Sequence, residues 1–278
     1  MLTHGSLYSG IGGWLLAAKW AGIDNIFTCE IDKFCNKTID KNFPEIPKEN
    51  RHYDIKETDF TKYKKAISII STSDPCQPFS FAGKREGKAD DRFLWPKTIK
   101  AIREIQPTFV VFENVPGFIS MAFETVASDL EAEGYTVESF VIPACSIGAW
   151  HRRDRLWIIA YSNEQYGNIS GLSSSQISQF KASKVFRDFK DVPDTQKQGL
   201  EGENTEGNTC TDGWDLQQPE CDRWTTEPGI CRVAHGIPNR VDRLKSLGNS
   251  IVPQIAYIIF EAIKQVNDEI ETNKNGRF

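Results

Sequence analysis

Along the first 162 residues, short apolar runs alternate with longer stretches of helical character. Ser6–Ser9, Ile26–Cys29, Ala66–Ile70, Thr108–Phe112 and Leu156–Ala160 each read as a strand. The first run is followed by Gly10-Ile11-Gly12-Gly13, then by a helical stretch, Trp14–Ala21, that Gly22 stops. Strands alternating with helices predict an α/β fold, a doubly wound sheet with helices on both faces. Near the other end, Ile251, Ile255, Ile258, Ile259, Ala262, Ile263 and Val266 recur at helical spacing and predict a core-packing helix, with Asn249 or Ser250 as its N-cap. Between these parts, Ser162–Asp222 is rich in Ser, Gln, Asn, Gly and Thr and poor in aliphatic residues. About 60 residues of that kind bury little core alone. The pattern divides the chain into residues 1–162, 163–222 and 223–278.

The strand ends carry the candidate chemistry. Cys76 stands in Ser73-Asp74-Pro75-Cys76-Gln77-Pro78-Phe79-Ser80, directly after an apolar run. Pro75 fixes its own φ and biases Asp74 away from helix, and Pro78 does the same to Gln77. A thiol in so stiff a loop reads either as a small residue of a tight turn or as a nucleophile. Thr108–Phe112 ends in Glu113-Asn114-Val115-Pro116-Gly117, so a second strand delivers a carboxylate into another Pro-containing loop. Ligands of open α/β sheets bind outside the carboxyl ends of the strands, and the two loops together point to a site more strongly than either alone. The first strand, its Gly-rich turn and the helix after it form a cradle whose backbone N–H groups face a nucleotide-type ligand, although the third glycine of the dinucleotide fingerprint is absent. Glu30 and Asp32 follow the second strand, about 20 positions past Gly10, where ribose hydroxyls are held. Asp54-Ile55 follows a further short strand. The first third of the chain thus predicts a nucleoside-bearing cofactor, and the next part a thiol.

In this order the motifs resemble the DNA (cytosine-5) methyltransferases, over most of the chain. Ser9-Gly10-Ile11-Gly12-Gly13 resembles the loop for S-adenosyl-L-methionine (AdoMet), Glu30 the ribose ligand and Asp54-Ile55 the adenine contact. Pro75-Cys76-Gln77 resembles the nucleophile motif, and Glu113-Asn114-Val115 the motif whose glutamate holds the target cytosine. Arg153-Asp154-Arg155 resembles the family's basic pair, and Leu247-Gly248-Asn249-Ser250-Ile251-Val252-Pro253 its last motif. Two positions depart: His151 stands where glutamine is usual, and Ser6 where aspartate is common. The resemblance implies catalytic roles for Cys76, Glu113, Arg153 and Arg155. It implies cofactor contacts at Tyr8, Gly10, Gly12, Gly13, Glu30, Ile31, Asp54, Ile55, Pro75, Leu94, Asn249 and Ser250. Phe81–Arg92, with Gly83, Gly87, Lys84, Arg85, Lys88 and Arg92, resembles the family's mobile loop. DNA contacts are implied at Gln77, Ser80, Lys84, Arg85 and Arg92. The implied fold is a Rossmann-like AdoMet-dependent methyltransferase sheet in residues 1–162, a short irregular target-recognition region in 163–222, and a return segment, 223–278, that completes the catalytic domain.

Composition fits this picture and narrows it. With 278 residues, 39% hydrophobic and 11% aromatic, the chain suits one large domain or one and a half. Its longest apolar stretches, such as Ile251–Phe260, are too short to span a bilayer. Met1–Ala18 lacks a cationic start and is interrupted by glycines, unlike a signal peptide. Seven cysteines without framework spacing fit a reducing cytosol. Cys210, Cys221, Cys231 and His235 lack CxxC spacing, so no metal is expected. The net charge of −5 looks unfavourable for binding DNA, yet Asp191–Asp222 carries nine acids against Lys197, which leaves the rest of the chain at +3. That acidic stretch reads as a solvated loop facing away from phosphates. Lys181, Lys184, Arg187 and Lys190 recur every third residue, and a cationic stripe meeting DNA phosphates competes with a solvated helix face there.

The expected partner is double-stranded DNA, with no membrane, and the chain is expected to be monomeric, cytoplasmic and associated with the nucleoid through DNA. An RNA (tRNA) cytosine-5 methyltransferase is the same-chemistry alternative, but the Cys-Phe-Thr signature of that branch is absent from the expected region. A non-catalytic DNA-binding regulator of the same fold would be signalled by loss of the thiol, Glu113 or Arg155, and all three are present. An unrelated thiol hydrolase needs a histidine base, and none of the four histidines sits in a partner motif.

Overall fold

Strands buried on both faces read as unbroken apolar runs, and those runs form the middle of the sheet. The computed structural model describes residues 1–75, 93–149, 151–166 and 240–275. Its strands are β1 (Thr3–Leu7), β2 (Asp24–Cys29), β3 (Arg51–His52), β4 (Ile69–Thr72), β5 (Phe109–Asn114), β6 (Tyr135–Ile142) and β7 (Arg155–Ser162). The helices are α1 (Gly13–Trp20), α2 (Lys33–Asn42), α3 (Trp95–Ile105), α4 (Phe118–Met121), α5 (Phe123–Ala132), α6 (Asn163–Tyr166), α7 (Arg240–Asn249) and α8 (Pro253–Asn275). The seven strands form one sheet in the order β3-β2-β1-β4-β5-β7-β6. β1 to β5 pair in parallel, whereas β7 runs antiparallel to both β5 and β6.

Side-chain alternation along the strands sends successive residues to opposite faces and separates two layers. Phe109 and Val111 of β5 pack with Trp14, Ala17 and Ala18 of α1 and with Ile255, Ile259, Phe260 and Ile263 of α8. Val110 and Phe112 pack on the other face with Trp95, Ile99 and Ile102 of α3 and with Val126 and Leu130 of α5. The apolar spacing read in α8 is therefore its core face, which returns the end of the chain to the first helix. Among the described residues no helix is long and apolar enough to cross a membrane.

Several boundaries differ from the sequence reading. The first strand is Thr3–Leu7 and not Ser6–Ser9, because Tyr8 takes a left-handed φ of 51° and Gly12 N–H closes a turn on the Ser9 carbonyl. The strand before the cysteine loop is Ile69–Thr72 and not Ala66–Ile70, since Ala66 N–H is held in a turn by the Tyr63 carbonyl. β5 runs on to Asn114, so Glu113 lies inside a strand, paired with Trp157, and not in the loop beyond it. β7 begins one residue early, at Arg155. Neither Asn249 nor Ser250 caps the last helix: Asn249 ends α7, Ser250 Oγ donates to the Ile251 carbonyl, and α8 opens on Pro253. A proline at the first helical position needs no partner for an N–H it lacks.

Beneath α8 lies a buried polar pair of strand residues. His4 is fully buried, with Nδ1 2.7 Å from Asn25 Oδ1 and Nε2 2.7 Å from Ser71 Oγ, and its ring sits 5.3 Å from that of Phe260. Burial pushes its pKa down to about 4, against the hydrogen bond that Nδ1 donates to Asn25. The folded chain thus holds a neutral imidazole, while the unfolded chain protonates near the ordinary value of about 6.5. The stability contributed by His4 is complete above that value and is lost as pH falls toward 4. We expect about 2–3 kcal/mol to disappear between pH 7 and pH 4.5 from this group. Urea unfolding at the two pH values should show that loss, and His4→Asn should flatten it; an equal loss in both chains would assign it elsewhere.

Candidate active site

Strand order reverses beside β1. The chain moves outward through β2 and β3, then returns to place β4 on the other side of β1. The crevice at such a switch point, outside the carboxyl ends of the strands, is the ligand position of open α/β sheets. β1, β2, β3 and β4 run parallel, so all four end at this edge. Glu113 joins them from the end of β5. The reversed direction of β7 brings its first residue, Arg155, to that same edge.

On one side of the crevice, Gly10 N–H donates to Glu30 Oε2 and Asp32 N–H to Glu30 Oε1, each at 2.7 Å. Burial pushes the Glu30 carboxyl up, and the backbone donors of Asp32 and Gly10 pull it down. With the N–H groups of Asp32, Gly10 and Ile31 all directed at it, the carboxylate keeps acceptor capacity for a hydroxyl. A side chain added at Gly10 would meet nothing within 4 Å, so the backbone of this loop is open to approach. Gly12 has a φ of 93°, and a Cβ there would lie 2.6 Å from the Phe43 ring. At Gly13 a Cβ would lie 2.8 Å from Ile251 Cγ1 and 3.3 Å from Ser250 Oγ, so the first turn of α1 is where the 250–251 segment seats.

Ile31 is 70% exposed at the tip of the β2 loop. Asp32 caps α2 by accepting from Phe34 and Cys35 N–H, and pairs with Lys245 of α7 at 2.8 Å. Asp54 Oδ1 accepts Lys56 N–H at 2.9 Å, Ile55 is buried, and a cleft of about 460 Å³ opens there between His52, Tyr53, Asp54 and Thr58. Leu94 stands at the start of α3, half-buried, and Asn249 is exposed. Among the described residues no cluster of His, Cys, Asp or Glu could hold a metal.

On the other side, Glu113 is buried and its Oε1 lies 3.0 Å from Arg155 Nε. Burial pushes its carboxyl up; Arg155, Arg153 and a hydrogen bond from Ser73 pull it down. Trp14 Nε1 donates to Ser73 Oγ at 2.9 Å, which leaves the single Ser73 proton for Glu113. The two arginines do not share a role. Arg153, at a left-handed φ of 38°, donates through Nη2 to the carbonyls of Gly248 (2.9 Å) and Ser250 (2.7 Å), and so ties the last motif to this edge. Ser6, where the family commonly has aspartate, is buried, and its Oγ has no hydrogen-bond partner among the described residues.

Pro75 is half-buried at the start of the nucleophile loop. Cys76, Gln77, Ser80, Lys84, Arg85 and Arg92 lie outside the described residues, as do Lys181, Lys184, Cys210, Cys221, Cys231 and His235. Sequence reasoning gave no role to Trp14, Ser73, Asp74, Thr98, Asn114 or Lys245. Ser73, Asp74 and Asn114 stood inside motifs already singled out; Trp14, Thr98 and Lys245 carried no signal apart from their place in the fold.

The model of the family described as C-5 cytosine-specific DNA methylase matches residues 2–230. The Type II methyltransferase M.Eco47II of Escherichia coli is 34% identical over 57% of this chain and 39% of its own length. M.HhaI of Haemophilus parahaemolyticus is 30% identical over 57% of this chain and 48% of its own. M.MspI of Moraxella sp is 25% identical over 95% of this chain and 71% of its own. The chain spans 36% to 52% of the length of the first four curated relatives it matches. Among solved structures, a DNMT2 mutant of Spodoptera frugiperda is 26% identical at a TM-score of 0.49, covering 59% of this chain and 50% of its own.

Proposed function

Because the chain belongs to the C-5 cytosine-specific DNA methylase family, we propose that it methylates carbon 5 of a cytosine in double-stranded DNA, through a covalent adduct at Cys76. The observation that carries this reading is the buried Glu113–Arg155 pair, hydrogen-bonded to Ser73 in the segment that leads into Cys76. S-adenosyl-L-methionine is the methyl donor of the family, and when bound it supplies the methyl group that carbon 5 takes up.

The chain's own residues do the rest. Carbon 5 of cytosine is a poor nucleophile. The Cys76 thiolate adds to carbon 6, which makes carbon 5 enamine-like and able to accept the methyl group. Loss of the carbon 5 proton and rupture of the carbon–sulfur bond then release the product. Glu113 holds the exocyclic amine and hydrogen-bonds the ring nitrogen, a role suited to a carboxyl that burial has pushed up. Arg155, already at Glu113, offsets negative charge that develops on the ring carbonyl. Arg153 positions the last motif. A stacked base is out of reach, so the target turns out of the duplex, and Phe81–Arg92 closes over it with its basic side chains toward phosphates. Glu30 holds the cofactor's ribose, with Asp54 and Ile55 at the adenine end. Residues 163–222 serve target recognition. Residues 223–278 complete the catalytic domain, a division supported by the packing of α8 on α1 and by the Lys245–Asp32 pair.

Bisulfite sequencing of DNA from a host expressing the chain tests activity and target together: a recurrent protected cytosine context supports the reading, and uniform conversion overturns it. The cofactor assignment has its own test. Glu30→Ala should weaken AdoMet binding by about 1.5–3 kcal/mol, on the order of tenfold to a hundredfold, by removing charge-assisted hydrogen bonds to the ribose. Calorimetry showing unchanged affinity would remove Glu30 from the site. A smaller loss is expected for Asp54→Ala.

A further inference from the structure

A buried carboxylate that belongs to none of the roles above sits two residues before Cys76. Asp74 is 7% exposed. Thr72 Oγ1 donates to its Oδ1 at 2.6 Å, Thr98 Oγ1 to its Oδ2 at 2.7 Å, and Asn114 Nδ2 to its backbone carbonyl at 3.3 Å. We propose that Asp74 is a positioning residue, whose clamp by Thr72, Thr98 and Asn114 sets the path of the chain into Cys76 and couples it to Tyr8 on the cofactor loop. The inference rests on Cys76 being the nucleophile.

The clamp joins three elements at one residue. Strand alternation turns Thr72 and Asp74 toward α3, where Thr98 lies on the buried face, and turns Ser71 and Ser73 toward His4 and Trp14. β5 contributes Asn114, whose Oδ1 is itself fixed by Val115 N–H at 2.9 Å. The Asp74 side chain and its carbonyl are therefore both anchored, which fixes the plane of the Asp74–Pro75 peptide. The ring of Pro75 fixes the next φ. Only ψ of Pro75 and φ and χ1 of Cys76 remain soft between the clamp and the thiol.

Packing alone does not call for this arrangement. A buried charge is costly, and burial pushes the Asp74 carboxyl up to about 6 although both threonines pull it down. Valine would fill the space of either threonine without a hydroxyl to place. The clamp also has a direction. Thr98 has one hydroxyl proton, and its 2.7 Å bond to Asp74 uses it, so the Tyr8 hydroxyl at 3.3 Å donates to Thr98. Tyr8 leads directly into the loop that faces Glu30, and the order of that loop reaches the cysteine segment through two hydroxyls and a carboxylate.

The test compares Thr98→Val, Thr98→Ser and Asp74→Asn in the full chain. The readout is the rate of irreversible adduct formation with a duplex containing 5-fluorocytosine, at saturating AdoMet, beside the melting temperature and the split of kcat against AdoMet KM. Misplacing a nucleophile by about 1 Å costs on the order of a hundredfold, so Thr98→Val and Asp74→Asn should trap about tenfold to a hundredfold more slowly, with kcat falling. Thr98→Ser keeps the donor and should stay within about twofold of the parent. Should Thr98→Val fail to fold, Thr72→Val makes the same comparison from the strand side. A parent chain that traps, with Thr98→Val and Asp74→Asn trapping at the parent rate or altered in melting temperature alone, overturns this inference and leaves the methyltransferase reading standing. A parent chain that forms no adduct overturns that reading, and the inference with it.

Discussion

Cys76→Ser should abolish methyl transfer while leaving the fold and most DNA binding in place. An alcohol is far less nucleophilic than a thiol at neutral pH, because the attacking species is the anion and a free cysteine ionises near 8.5. The substitution leaves the anchors of the preceding segment untouched, since Trp14 holds Ser73 and Thr72, Thr98 and Asn114 hold Asp74. The melting temperature should therefore stay near that of the parent. Trapping with a 5-fluorocytosine duplex gives an independent answer, because fluorine cannot leave as a proton does. Peptide mapping should place the adduct on Cys76. Cys29 and Cys35 are poor competitors, both buried, with thiols that burial pushes up to about 12 and about 11. Near-normal turnover in Cys76→Ser would refute the covalent step, and an adduct on another cysteine would reassign the nucleophile.

The parallel half of the site was legible because its residues announce themselves locally. A Gly-rich turn between a strand and a helix, and acids at the ends of the next two strands, are signals a few residues long. The edge where β5 meets β7 was less legible. Glu113 interrupts an apolar run, and a carboxylate in such a run reads as the end of a strand. It stays inside the strand because Arg155, 42 positions away, and Ser73 satisfy it across the sheet. Arg153 and Arg155 are indistinguishable as residue types. The left-handed turn at Arg153 sends one guanidinium to the carbonyls of Gly248 and Ser250 and leaves the other at Glu113. The start of α8 was misread for a different reason: Asn249 and Ser250 are good caps by type, but Pro253 sets the first turn, and Gly13 leaves room for Ile251 to dock beside it. The Asp74 clamp has no sequence signature, because threonine on a strand and on a helix face is ordinary until packing brings both hydroxyls to one carboxylate.

Glu113→Gln separates the two things this carboxyl does. Glutamine keeps the shape and still meets the ring through hydrogen bonds, but it shares no proton and offers Arg155 no charge. Loss of a pre-placed group that acts on the developing adduct costs on the order of 10²–10³ in kcat, and AdoMet affinity should not move, because Glu30 and the β1 loop lie on the other side of the crevice. The pH dependence gives the sharper signature. Burial outweighs Arg155 and Arg153 and raises the Glu113 pKa above its ordinary value. A step that needs the protonated carboxyl therefore proceeds below that raised pKa and fades as pH rises through it, while the Cys76 thiolate is lost as pH falls. The parent should show a bell-shaped kcat profile. In Glu113→Gln the alkaline limb should vanish and the acid limb remain. Arg155→Lys is the companion variant: it keeps the charge but loses the planar fork, and should lower kcat less than Glu113→Gln while shifting the alkaline limb, since the opposing charge sits differently on the carboxyl. A Glu113→Gln profile that superimposes on the parent's, at a kcat within about threefold of it, would place the proton-sharing group on another residue and leave Glu113 as a structural partner of Arg155.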